Sequence, residues 1–184
     1  MQTLKDILFG VSLKSITGNR DEQVTGITFD SRNVKEGFLF VAVKGLTVNG
    51  HDYIESAIEK GAKVIICQYL SENPSSDITI VQPDDSAEAL GIVASNFYGR
   101  PSEKLTLVGI TGTNGKTTCA TLLFELFQNL GYTVGLLSTV ENKINHKILE
   151  TSFTTPDAVQ LNELLAEMVE QGCTHCFMEV SSHA

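Results

Sequence analysis

Basic residues are scarce in this chain: 13 lysines and arginines stand against 22 aspartates and glutamates in 184 residues, a formal net charge of −9. That balance excludes general nucleic-acid binding and adhesion to anionic membranes, both of which need a basic field. An anionic ligand would have to be held by local geometry. Long apolar runs are missing as well. None approaches the ~20 residues of a membrane span. The opening Met1-Gln2-Thr3-Leu4-Lys5-Asp6 has neither the basic start nor the apolar core of a secretory signal. Cysteine is limited to Cys67, Cys119, Cys173 and Cys176. Three of these lie in apolar segments or helices, the pattern of free thiols in a reducing cytoplasm. Cys173-Thr174-His175-Cys176 has the spacing of a metal or redox pair. It lacks a second Cys/His pair, follows Gly172 and runs into a strand, so buried strand thiols are expected. Internal repeats, low-complexity tracts and a Ser-His-Asp arrangement are absent.

What is present suits a folded α/β protein. Apolar residues make up 42% and charged residues 19%, enough for one large or two small cores and too little charge for disorder. Two segments are expected, residues 1–100 and 101–184, with Gly99–Glu103 as the linker. In the first, Val24–Phe29, Phe38–Val43, Lys63–Cys67 and Ile78–Val81 read as strands. Asp52 is placed to cap a short helix closed by Gly61, and Leu90, Val93, Ala94 and Phe97 mark a longer helix. In the second, strands at Leu105–Val108, Thr133–Ser138 and His175–Val180 alternate with helices. A polar hairpin-like stretch, Glu141–Glu150, intervenes. The alternation predicts a doubly wound, mostly parallel sheet with ligands at the C-terminal strand ends. About three strands are too few to complete such a sheet, so a piece of a longer protein is expected.

The strongest signal is Val108-Gly109-Ile110-Thr111-Gly112-Thr113-Asn114-Gly115-Lys116-Thr117-Thr118. It is a strand end, a glycine-rich turn and a helix start, which is the form of a phosphate-binding loop. Backbone N–H groups of Gly112, Thr113, Asn114, Gly115 and Thr118 can cradle phosphate oxygens at the helix N-terminus. Lys116 can reach the terminal phosphates, and the Thr117 hydroxyl can ligate magnesium. A glycine is usual at position 110, where this chain has Ile110. The helix that follows carries Leu122, Leu123, Leu126, Phe127 and Leu130 at helical spacing, with Gly131 at its C-terminus.

Further candidates lie at expected strand ends. Glu179 closes an apolar strand downstream of the loop, where a carboxylate can hold magnesium directly or through water; a strand ending in a polar turn would look the same. His183 can be a metal ligand, a substrate contact or a turn residue. Thr154-Thr155-Pro156-Asp157 opens a helix, with Thr155 as N-cap and Pro156 as first helical residue. Plain capping and binding of an anionic substrate both explain it. Asp30-Ser31-Arg32 and Lys44–His51 form loops after strands, where ligands gather.

Taken together, these motifs resemble the Mur ligases, in particular the branch that adds the third residue to the peptidoglycan precursor. Asp30-Ser31-Arg32, Phe40-Val41-Ala42, Gly45 and Gly50-His51 look like the family's UDP-binding N-terminal domain. Thr111–Thr118 matches the family's own form of the phosphate loop, and accounts for Ile110. Thr154–Asp157 and Glu179-Val180-Ser181-Ser182-His183 look like its muramyl-peptide and magnesium segments. The resemblance implies that Phe29, Ser31, Leu46, Thr47 and Val48 contact the uridine part. It places Thr154, Thr155, Ser181 and His183 at the muramyl-peptide, Gly112–Thr118 at ATP, and Thr117 and Glu179 at Mg2+. Lys116 would be the catalytic residue.

The implied activity is ATP-driven amide ligation. A carboxylate attacks the γ-phosphate to give an acyl phosphate, and an amine displaces phosphate. The implied ligands are ATP, Mg2+, UDP-MurNAc-dipeptide and an amino acid, diaminopimelate or lysine, in a cytoplasmic monomer. The family's carbamylated lysine and amino-acid-binding domain would lie beyond Ala184, so UDP-sugar binding without turnover is expected of this chain alone. The D-Ala-D-Ala-adding ligase, a folylpolyglutamate-type synthetase and a non-catalytic nucleotide-binding module remain as alternatives.

Overall fold

The computed structural model describes residues 2–45, 47–70, 77–149 and 156–180, and the chain divides into two compact units, residues 1–97 and 98–184. The first unit runs β1 (Gln2–Thr3), α1 (Leu4–Ile7), β2 (Leu13–Thr17), β3 (Gln23–Val24), β4 (Gly26–Thr28), β5 (Phe38–Val41), α2 (Ile54–Glu59), β6 (Val64–Ile66), β7 (Thr79–Pro83) and α3 (Ser86–Phe97). Its main sheet has the order β2-β7-β6-β5-β4. Strands β4 to β7 are parallel, and β2 is added antiparallel at one edge. The three central parallel strands are apolar on both faces, as a sheet covered on both sides requires. Phe40, Ile65 and Ile80 pack with Ile54 and Ala57 of α2. The alternate residues Leu39, Val41, Val64, Ile66 and Val81 are also buried and by the pleat point the other way.

Asp52 does not cap α2. A 3-10 turn, Gly50–Tyr53, precedes that helix and is capped by Asn49, whose side chain accepts from the His51 N–H. Asp52 sits inside the turn because Asn49 takes the capping position before it. The run expected as one strand over Val24–Phe29 is split at Thr25, whose N–H bonds the carbonyl of Gly37. At Gly26 an added Cβ would meet the Phe38 ring at 2.5 Å.

The second unit runs β8 (Thr106–Ile110), α4 (Lys116–Asn129), β9 (Val134–Leu137), β10 (Asn142–Ile144), β11 (Lys147–Leu149), α5 (Ala158–Glu170) and β12 (His175–Glu179). The sheet order is β11-β10-β9-β12-β8. Three parallel strands, β9, β12 and β8, carry an antiparallel hairpin at one edge. The sheet therefore has five strands where about three were expected, because the polar stretch after β9 pairs with it. Alternation along β9 and β12 separates two cores. Leu136 and Phe177 meet Ala120 and Phe124 of α4, and Leu137 and Cys176 meet Leu165 and Met168 of α5. Each large buried side chain contributes roughly 1.5–3 kcal/mol of transfer free energy.

The start of α5 differs from expectation in one respect. Its N-cap is Asp157, which accepts from the N–H groups of Val159 and Gln160, while the Gln160 side chain accepts from the Asp157 N–H. This closed capping box places Pro156 one residue before the cap. Cys67, Cys173 and Cys176 are buried and Cys119 is exposed. Burial raises the Cys67 and Cys173 thiols to about 11 and Cys176 to about 12. No helix among the described residues is long and apolar enough to cross a membrane.

Candidate functional sites

In the first unit, the chain leaves β4 at Thr28 and turns at once. Asp30 caps a 3-10 turn, Ser31–Asn33, by accepting from the Arg32 N–H. The same carboxylate takes the Arg32 guanidinium, with Nε at 2.9 and 3.0 Å and Nη2 at 2.7 Å. Those hydrogen bonds hold the Asp30 carboxyl below its ordinary range, against a smaller opposing effect of burial. Ser31 is buried, and its carbonyl accepts from Lys60 Nζ at 2.8 Å.

The second wall of this site follows β5. Gly45 N–H bonds the Val48 carbonyl and Gly50 N–H bonds the Val43 carbonyl, making a closed loop. Only glycine fits at position 50, since an added Cβ would lie 2.8 Å from both Val43 N and Val43 O. A cavity of about 480 Å³ opens between the two walls. Phe29, Ser31, Thr47 and Val48 all line it, together with Asp30, Arg32, Phe40, Val43 and Tyr53. Phe29 is 37% exposed and Val48 54% exposed, so apolar surface is left at a concave opening beside the polar side chains of Asp30, Ser31, Arg32 and Thr47. That is the character of a site for a flat organic ring. Leu46 lies outside the described residues.

In the second unit, the phosphate-loop glycines have the backbone such a loop needs. Gly112 and Gly115 lie at φ +150° and +79°, values that L side chains rarely adopt. Gly115 is the N-cap of α4, and no side chain caps this 14-residue helix. The N-terminus thus presents its N–H groups and partial positive charge to a ligand. Lys116 Nζ rests on the Gly112 carbonyl at 2.9 Å, within the loop itself.

The parallel register sets the opposite side. Glu179 pairs with Ile110 of β8, and Met178 pairs with Leu137 of β9. The end of β12 is therefore flanked by the phosphate loop on one side and Ser138-Thr139 on the other. Three donors converge on Glu179 Oε2: Thr117 Oγ1 at 2.9 Å, Thr139 N–H at 3.1 Å and Thr139 Oγ1 at 3.1 Å. Burial pushes the carboxyl up. The Thr139 N–H, the two hydroxyls and the Lys116 charge together outweigh it and hold the group below its ordinary value. A carboxylate held below its ordinary range, a hydroxyl beside it and a helix N-terminus with no side-chain cap fit a magnesium–triphosphate. Thr117 and Glu179 would hold the metal, and Gly112–Thr118 the phosphates.

Thr139 is the residue that sequence reasoning missed. Its signal is its position two residues after β9, but its use depends on β12 lying next to β9. Ser138 fixes it in place: its Oγ accepts from Val140 and Glu141 N–H, and its own N–H donates to Asn142 Oδ1. Thr154, Thr155, Ser181 and His183 lie outside the described residues.

Two families match the chain. The one described as "Mur ligase family, catalytic domain" matches residues 23–98, and "Mur ligase middle domain" matches residues 110–184. Among curated relatives, a UDP-N-acetylmuramoyl-L-alanyl-D-glutamate–2,6-diaminopimelate ligase of Cytophaga hutchinsonii is 58% identical over 98% of this chain. Proteins of the same name from Bacteroides fragilis and Clostridium tetani are 50% and 41% identical over the same share. The chain spans about 37% of the length of the first two and 38% of the third. A solved structure of a ligase of that name superposes on 99% of this chain and 36% of its own, with a TM-score of 0.76 at 24% identity. A MurF ligase from Thermotoga maritima in complex with ADP covers 83% of this chain and 31% of its own, with a TM-score of 0.54 at 26% identity. With both of its units matched and relatives of one name aligned along almost its whole length, the chain belongs to the Mur ligase family.

Proposed function

We propose that this chain supplies the UDP-sugar site and the phosphate site of an ATP-dependent ligase that joins meso-diaminopimelate to UDP-MurNAc-L-Ala-D-Glu. The observation that carries the reading is the meeting of Thr117 and Glu179 at 2.9 Å beside the uncapped start of α4. The names of the relatives supply the substrate and the amine. The chain's acidic balance and its lack of a membrane-crossing helix among the described residues agree with a cytoplasmic protein that touches neither nucleic acid nor membrane. A monomer is the simplest state for it.

In this reading residues 1–100 form the uridine-binding domain. Phe29, Val48 and Tyr53 flank the base, while Ser31 and Thr47 offer polar contacts. Leu46 joins them by its place in the motif. Residues 101–184 begin the ATP-binding domain. Gly112, Thr113, Asn114, Gly115 and Thr118 hold phosphate oxygens through backbone N–H groups, and Lys116 neutralises the charge that builds on the transferred phosphoryl group. Thr117 and Glu179 hold Mg2+, which when bound screens the phosphates from the incoming carboxylate. Thr154, Thr155, Ser181 and His183 are assigned to the muramyl-peptide by motif.

The bond-making itself asks for no protein nucleophile. The dipeptide carboxylate attacks the γ-phosphorus, ADP leaves, and the amine then displaces phosphate from the acyl phosphate. The protein positions the reactants and neutralises charge.

Phosphate release tests the proposal. The whole protein, given ATP, magnesium and UDP-MurNAc-dipeptide, should release phosphate with diaminopimelate and not with D-Ala-D-Ala. The 184-residue chain should bind UDP without turnover. Turnover by the whole protein on a UDP-MurNAc-tripeptide with D-Ala-D-Ala would overturn it, and equal use of lysine would overturn the choice of amine.

A further inference from the structure

His51 is a buried side chain in the first unit that the ligase reading leaves without a task. It is 6% exposed, and every part of its ring is engaged. Its Nε2 accepts from the Gln68 N–H at 3.1 Å, just past the end of β6. Its Nδ1 lies 3.0 Å from Asn49 Oδ1, an acceptor, so Nδ1 carries the proton. Its face stacks on Tyr69, with centroids 4.1 Å apart and planes 6° off parallel. Asn49 in turn donates to the Tyr69 hydroxyl at 2.8 Å.

These contacts tie the loop behind the cavity to a neighbouring strand end. Asn49 pairs with Lys44 in an isolated bridge, and Gly50 is locked on Val43. Thr47 and Val48, which line the cavity, hang between those two fixed points. His51 bridges this loop and the segment after β6, with Nδ1 on Asn49 and Nε2 on Gln68. The arrangement also works in one protonation state only. A second proton on Nε2 would set an N–H against the Gln68 N–H and break that bond.

We propose that His51 is a positioning residue for the nucleotide cavity, holding Thr47 and Val48 in their binding arrangement only while its ring is neutral. The inference rests on the reading of that cavity as a uridine-nucleotide site. The groups that act on the ring are Asp52 on its own turn, whose charge favours the second proton, and Tyr69 stacked against it. Burial acts more strongly and keeps the ring neutral near pH 7.

The test is binding of UDP to the 184-residue chain by calorimetry, at about pH 8 and at a lower pH where NMR of the ring shows His51 protonated in the folded chain. The comparison is with His51→Gln and His51→Phe. Glutamine can accept from Gln68 and donate to Asn49 but does not titrate; phenylalanine keeps only the stacking. The wild type should lose about tenfold in affinity at the lower pH, the cost of one broken buried hydrogen bond. His51→Gln should retain most of the affinity and lose no more at low pH than UDP's own phosphate titration imposes. His51→Phe should be weak at both. Equal pH dependence in wild type and His51→Gln would overturn the proposal. A wild type that binds no UDP at either pH would instead overturn the reading of the cavity. Amide exchange then decides the positioning role: corrected protection at Gly50 and Gln68 should fall about tenfold in the wild type at low pH. Unchanged protection would overturn it.

Discussion

The hydroxyl of Thr117 donates to Glu179 Oε2 at 2.9 Å, joining the first turn of α4 to the last residue of β12 across 62 positions of sequence. The same oxygen takes both donors of Thr139. Three donors thus hold the carboxylate by one of its two oxygens.

Replacing that carboxylate should separate binding from stability. Glu179→Gln keeps the shape and removes the charge. Magnesium-dependent affinity for ATP should fall about 10–100-fold, the range seen when a metal's supporting groups are altered. Binding measured without magnesium should barely change. Equal losses with and without the metal would contradict the role given to Glu179.

Thr139 offers a finer cut. Thr139→Ala removes the hydroxyl bond and keeps the backbone N–H, while Thr139→Ser keeps both. The Glu179 carboxyl should titrate higher in the alanine variant and return toward wild type in the serine variant. Carbon-detected NMR of the side chain reads this directly, and an unmoved titration in Thr139→Ala would show that the hydroxyl has no part in holding the charge.

Among the described residues, Lys116 Nζ hydrogen-bonds the Gly112 carbonyl of its own loop, so its loss should cost little folding stability. Lys116→Ala should weaken ATP binding about tenfold or more, because the lysine's contact is with the β- and γ-phosphates. The thermal midpoint should move by no more than a surface substitution usually does, about 0.5 kcal/mol or less. Unaltered ATP affinity would remove the basis for the phosphate-loop reading.

The acid limb of stability follows from two carboxylates. Asp30 and Glu179 both sit below their ordinary values of 3.8 and 4.5. The unfolded chain therefore takes up protons first as pH falls. Their contribution is fully present above those ordinary values and is lost as pH drops through the lower folded ones. The thermal midpoint should decline over that window, and Glu179→Gln should flatten the part belonging to the second unit.

Packing in the second unit has its own test. Phe177 is 2% exposed in the core beneath α4. Phe177→Ala should cost about 3–5 kcal/mol, read as a drop in the denaturation midpoint. A loss below about 1 kcal/mol would mean the α4 core is loosely packed.

Much of this was legible in the chain because apolar runs and turn residues speak locally. The continuous run Phe38–Val43 marks a strand buried on both faces, and the helix expected after Thr154–Asp157 is α5. Where capping residues compete, local reading falters. Thr155 with Pro156 is a plausible start for α5, yet Asp157 has Gln160 three places on, and the reciprocal box decides the matter. Strand β2 gave little signal because Leu13–Thr17 is an edge with mostly exposed side chains. The roles of Thr139 and His51 depend on partners set by strand order, Glu179 for one and Gln68 for the other. No periodicity in the chain announces such pairs.

The order of strands has a consequence for how the phosphate site comes into being. Among the described residues, strand β12 follows β8 and β9 in sequence and lies between them in the sheet. A sheet of that kind cannot be zipped up from neighbouring hairpins, and such distant pairings form slowly. While a ribosome is still making residues 175–179, the loop at Gly112–Thr118 exists but Thr117 has no carboxylate to meet. The insertion of β12 between β8 and β9 brings Glu179 to Thr117, so a chain in which β12 has not yet paired lacks this carboxylate at the phosphate loop.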